Sequence, residues 1–177
     1  MKHGKQRFGK IMLGILLVCI IFTGFLYINN DIGVAESDLE ADIRTSQKIM
    51  DDWIVEGSVA DTIAAYISYP QDKTDHTFSV YVNRPGLSFG YFFRGGGDIV
   101  AVEEYIAEYT VEGYNERAFI SMNKQKVKYL EVDDGNSVQV IDIDSNRPFA
   151  LVLPVNAGNI TFYDENGNKV EYCNHPL

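Results

Sequence analysis

The sequence predicts an α+β protein: a single N-terminal transmembrane helix, two short helices, then a mainly antiparallel β-sandwich-like or barrel-like domain. Three observations carry that prediction. Residues 11–28, IMLGILLVCIIFTGFLYI, contain no charge. Residues 37–69 place their apolar side chains at helical spacing. From Thr77 onward, short runs alternate apolar with polar residues, separated by Gly, Asn and Asp, the pattern of strands joined by tight turns.

The apolar run comes first. In a helix it would span about 27 Å, close to the roughly 30 Å hydrocarbon core of a bilayer. Lys2, Lys5, Arg7 and Lys10 precede it, and no acidic residue occurs before Asp31. Basic flanks stay in the cytoplasm, so the expected topology is N-terminus inside and C-terminal domain outside. A lipoprotein signal is excluded: Val18 before Cys19 is not small, and the apolar run continues past the cysteine. A cleaved signal peptide has a shorter apolar core, although Gly33-Val34-Ala35 would serve as a cleavage site after Ala35. The uncleaved anchor is the preferred reading. The expected division is a cytoplasmic basic tail (1–10), a transmembrane anchor (11–28), a helical juxtamembrane segment (29–70) and an extracytoplasmic β-rich domain (71–177).

The first ten residues carry four of the 15 Lys and Arg and none of the 25 Asp and Glu. That leaves 11 basic against 25 acidic residues beyond them, a net of −14. Such a field repels nucleic acid and anionic surfaces, so no nucleic-acid partner is expected. Cys19 lies in the span and Cys173 near the last residue, too far apart to pair within the chain. A domain without an internal disulfide leans towards a bacterial envelope over a eukaryotic extracellular setting.

Within 37–56, SDLE reads as a capping box with Ser37 as N-cap and Glu40 reaching back. Leu39, Ile43, Met50, Trp53 and Ile54 follow at helical spacing until Gly57 ends the segment. A second helix is expected over 59–69, carrying Val59, Ile63, Tyr66 and Ile67 and stopped by Pro70. TFSVYV and LSFGYFF then read as strands, and Gly95-Gly96-Gly97 as a flexible bend or hairpin tip. Residues 99–111, IVAVEEYIAEYTV, fit either a helix or a long strand, with strand preferred for its β-branched and aromatic content. RAFISM, KVKYLEV, SVQVIDI, FALVLPV, ITFYD and KVEYC read as six strands, the last five separated by DDGN, DSNRP, NAGN and ENGN turns.

Candidate chemistry is sparse. Asp142-x-Asp144-x-Asn146 begins like a calcium loop, but its sixth position is Arg147 and its twelfth is Leu153. Asp164-x-Asn166-Gly167 lacks the later bidentate acid. No cofactor and no metal site is expected. His76 reads as a solvated loop histidine; Cys173-x-His175 offers a thiol and an imidazole that could pair or bind metal, but two ligands at a mobile end make a poor site. Tyr91, Phe93, Tyr105 and Tyr109 form an aromatic-rich stretch that would bind a glycan or peptide if exposed, and would otherwise fill the core. These features predict a non-catalytic interaction module for an envelope protein or wall polymer. The alternative is an envelope hydrolase using carboxylates or the Cys173/His175 pair.

Overall fold

The computed structural model describes residues 2–177, with side chains from Ile11 onward; the basic flank of residues 1–10 therefore lies outside the described side chains. Helix α1 (Lys2–Ile28) opens the chain and contains the apolar run. Its Ile11–Ile28 portion has a mean hydropathy of 2.7, enough to cross a membrane, and nearly all of it is exposed. An apolar helix so near the N-terminus fits a membrane anchor or a signal sequence.

After α1 come a 3-10 turn (Glu36–Asp38) and helix α2 (Leu39–Ser46). Strands β1 (Ile54–Val59), β2 (Ile63–Tyr69), β3 (Thr77–Asn83) and β4 (Tyr91–Gly97) form the first sheet, in that order. Helix α3 (Val100–Glu104) leads to β5 (Ile106–Thr110) and β6 (Glu116–Ser121). Then follow β7 (Val127–Asp133), β8 (Val138–Asp142), β9 (Phe149–Pro154), β10 (Asn159–Asp164), β11 (Lys169–Val170) and β12 (Tyr172–Pro176). The middle sheet has order β12-β5-β6-β9 and the third sheet β11-β10-β7-β8. The sheets are open, so the sandwich-like form of the prediction fits and the barrel does not.

Alternation within the middle sheet explains the layering. Ala107, Tyr109, Ala118 and Ile120 join one buried cluster with Ile63, Ile67, Phe78 and Val80 of the first sheet. Their neighbours Ile106 and Phe119 point the other way, into a cluster with Val127, Leu130, Val132 and Phe162 of the third sheet. On the far face of the first sheet, Leu39 and Ile43 of α2 pack with Ala64, Tyr81 and Tyr91. The order of layers is thus α2, first sheet, middle sheet, third sheet. Both faces of the middle sheet are buried, and Phe119 meets Phe162 edge-on at 5.2 Å between centroids.

Several local expectations are corrected. The capping box does not form: Asp38 occupies the N-cap of α2 without a side-chain cap bond, and Ser37 Oγ instead donates to Asp38 Oδ1 at 3.3 Å. The helix stops at Ser46, ten residues before the expected end. Arg44 holds the exit by donating to the carbonyls of Met50, Asp51 and Trp53, and Ile54 already belongs to β1. The helix expected over 59–69 is strand β2. Its sequence IAAYISY is buried on both faces, so it lacks the period-two signal, and Ile63 and Ile67 satisfy helical and strand spacing alike. Residues 99–111 divide into α3 and β5. Gly95-Gly96-Gly97 is no hairpin tip; it pairs with Val80, Ser79 and Phe78 inside the first sheet. A Cβ at Gly96 would come 2.5 Å from the Phe78 carbonyl oxygen, so close approach accounts for that glycine. The run LSFGYFF is strand only from Tyr91. Finally, β12 pairs with β5 in parallel, an exception to the otherwise antiparallel ladders.

Candidate functional site

The third sheet is packed on one face and open on the other. Register places Val138 opposite Asp133 and Val140 opposite Glu131, on the side away from the core, while Gln139 pairs with the core-facing Val132. An outer sheet facing water ordinarily carries polar residues there. Val138 and Val140 are instead each 55% exposed. The inversion lasts two positions, because Ile141 and Ile143 return to the core. Beside the valines, Tyr129 and Tyr163 are cross-strand partners, their rings stacked at 4.9 Å and 14°.

β8 is also the edge of its sheet, with β7 on one side and no strand on the other among the described residues. It carries neither Lys nor Pro, the residues that usually blunt an edge. Its backbone is therefore a template for a further extended segment. Turn chemistry fixes it in place: Asp134 Oδ1 accepts from the amides of Asn136 and Ser137, both at 2.7 Å, in the turn that enters β8. These bonds hold the Asp134 carboxyl below the usual carboxylate range. At the exit, the buried Asn123 donates to the carbonyls of Val127, Asp144 and Arg147 and accepts from the Val127 amide at 2.7 Å.

A surface groove of about 510 Å³ adjoins the end of β8. Its lining includes Glu56, Asp142, Asp144, Arg147 and Phe149. Arg147 pairs with Glu56, and Asp144 Oδ1 accepts from the Asn146 amide at 2.9 Å. The groove takes in Asp142 at the end of β8 together with Asp144, while along the strand the two valines lie opposite Asp133 and Glu131.

The residues singled out in the sequence lie elsewhere. Tyr91 is buried under α2, its hydroxyl donating to the Ala60 carbonyl at 2.7 Å. Tyr109 is buried between the first and middle sheets, stacked on Phe78 at 4.7 Å, and burial pushes its hydroxyl well above the ordinary range. Phe93 and Tyr105 are half exposed, and Phe93 meets Tyr81 edge-on at 5.6 Å. The four are not gathered on one face. Cys173 is exposed. His175 lies tilted against Tyr109 at 5.8 Å, with Nε2 buried and unpartnered among the described residues. His76 is a correction: it is 4% exposed rather than solvated, its Nε2 lying 3.3 Å from the Ile99 carbonyl and 3.4 Å from Asp98 Oδ1. Among the described residues, no group of three or more His, Cys, Asp or Glu is placed to hold a metal ion.

The sequence carries a signal for the exposed valines. In SVQVIDI, Val138 and Val140 fall on one face while Ile141 and Ile143 fall on the other, so the apolar phase switches inside one strand. Comparisons with protein-family models, curated proteins and solved structures found no match to this chain.

Proposed function

We propose that this protein is a membrane-anchored, extracytoplasmic interaction module whose third sheet receives a protein partner along β8. The N-terminus faces the cytoplasm and the sandwich lies outside, in keeping with the basic flank before Ile11. The observation that carries the reading is the inverted pattern of β8: two exposed valines on an unprotected edge, above a face packed on the core. A partner adding an extended segment to β8 would satisfy the free amides and carbonyls of that edge and cover the valines. The surrounding carboxylates favour a partner segment carrying Lys or Arg.

The hydrolase alternative has its best location in the groove, where Glu56, Asp142 and Asp144 converge. Glu56 is held by Arg147 and Asp144 by its own turn, an arrangement that suits a rigid rim. The test replaces Val138 and Val140 together by Thr in the full-length, membrane-bound protein, with Cys173→Ser as a separate variant. Crosslinked partner should disappear from the valine variant and persist in Cys173→Ser. Persistence in both would overturn the β8 reading. Loss in Cys173→Ser alone would move the function to the C-terminal thiol.

A further inference from the structure

We propose that the loop joining β3 to β4, residues 84–90, is a second membrane contact that seats the domain on the bilayer surface beside α1. This rests on reading α1 as a membrane anchor. Hydrogen bonds tie the loop to the end of that helix. The Asp31 amide donates to the Leu26 carbonyl at 2.9 Å and the Asn30 amide to the Tyr27 carbonyl at 3.2 Å, with Asn30 at φ +54°: a cap that ends α1 and pins Asp31 to its last turn. The Asp31 carbonyl accepts from the Phe89 amide at 2.8 Å, and the Gly33 amide donates to the Phe89 carbonyl at 2.7 Å. Ile32 and Phe89 thereby form a parallel bridge, followed by an antiparallel one between Val34 and Tyr91. The Phe89 backbone stands two hydrogen bonds from the membrane-spanning helix. The headgroup zone on each side of a bilayer is about 5–8 Å deep, which places the loop at that level.

The side chains suit this position. Leu87 is 70% exposed, Phe89 55% and Ile32 46%, three large apolar residues left substantially open among the described residues. Ile32 lines one groove with Cys19, Thr23, Gly24 and Tyr27 of α1, so it lies alongside the span. In the same loop, Arg84 stacks over Phe92 at 4.0 Å and donates to the Asn30 carbonyl at 3.4 Å. That sets a guanidinium beside the helix end, where lipid phosphates would lie, in a domain otherwise rich in carboxylates. The occupant is the bilayer that α1 itself supplies, continuous with the lipid around Tyr27 and Ile28.

The loop is held in shape. Gly90 has φ +84°, and a Cβ there would approach the Val34 carbonyl oxygen to 2.5 Å. Any other residue would push the loop off the segment that follows α1. An apolar tip presented rigidly next to a span buries its side chains at little entropic cost.

The experiment uses the full-length protein in vesicles of phosphatidylcholine with a minority of phosphatidylglycerol. Trp53 is replaced by Phe, and single tryptophans are introduced as Phe22→Trp, Phe89→Trp and Val140→Trp. Lipids brominated at shallow or deep acyl positions act as quenchers. Phe89→Trp should lose most of its emission to shallow bromines and shift to the blue, while Val140→Trp stays unquenched. Phe22→Trp should be quenched by deep bromines. If Phe22→Trp is quenched and Phe89→Trp is not, the loop contact is overturned and the anchor stands. If neither is quenched, the anchor reading fails and the loop contact with it.

Discussion

The first and third sheets pack on opposite faces of the same middle sheet, yet their far faces are treated differently. The first sheet is covered: Leu39 and Ile43 of α2 are fully buried on it. Tyr81 there donates to Asp42 Oδ2 of α2 at 2.7 Å, and burial together with that carboxylate raises its hydroxyl well above the ordinary range. Among the described residues no helix covers the third sheet, and its far face carries Val138, Val140 and the stacked Tyr129 and Tyr163. Of the two outer faces, one is hidden by a helix of the chain itself and the other leaves two valines exposed. The apolar residues left on the other sheet are therefore the ones to explain by something outside the chain.

The substitutions that challenge this contrast most strongly lie at the shared layer. Phe119→Ala removes a fully buried ring that touches Phe162 and Tyr172, and should cost about 3–5 kcal/mol in denaturant unfolding. Both outer sheets should melt together; separate transitions would show that they are not one cooperative unit. Glu108→Ala leaves Arg117 without its buried partner at 2.9 Å and removes the acceptor of Asn174 on β12. A loss of about 3 kcal/mol is expected, with faster proteolysis at Tyr172–Leu177. Leu39→Ala tests the cover itself. It should cost about 2–3 kcal/mol and shift the amide resonances of β2, β3 and β4 around Ala64, Tyr81 and Tyr91 while leaving those of β7 and β8 in place. Equal shift changes in both outer sheets would contradict the layering.

How legible each region was in the sequence follows the same division. The strands of the third sheet are readable because β7–β8 and β10–β11 are hairpins whose short turns use Asp, Asn and Gly locally, although the β7–β10 pairing between them spans β8 and β9. Asp164 Oδ1, for example, accepts from the amides of Asn166 and Asn168, both at 2.8 Å. In the first sheet TFSVYV reads as the strand it is, β3, whereas β2 reads as a helix because it is buried on both faces and a continuous apolar run carries no period. The early end of α2 depends on Arg44 reaching carbonyls up to nine residues away, which no local pattern announces. The parallel pairing of β12 with β5 joins residues more than sixty positions apart, beyond the reach of any window. The candidate edge was half legible: SVQVIDI was recognised as a strand, but which face looked outward required the register with β7.

Smaller effects sharpen the contrast on the open side. Val138→Thr with Val140→Thr should change stability by less than about 0.5 kcal/mol, as expected for exposed positions. A large loss would mean that the valines serve the fold rather than a partner. Smaller still is the acid response of the turns. The carboxyls of Asp134 and Asp164 are held below the usual range by turn amides and neighbouring side chains. A depressed folded-state value contributes stability above the unfolded value, and that contribution is lost as pH falls through the folded one. A carboxyl-detected titration should show both groups still charged below the ordinary aspartate range; midpoints at or above it would contradict the turn geometry.

The most direct test is site-specific photocrosslinking in the native membrane, with a photoreactive residue placed in turn at Val138, Val140 and Met50. The account predicts one protein adduct of constant mass from Val138 and Val140, at the open edge and face of the third sheet, and none from Met50 beside the covered first sheet. Adducts of equal yield from Met50, or their absence at both valines while α1 holds the protein in the membrane, would contradict it.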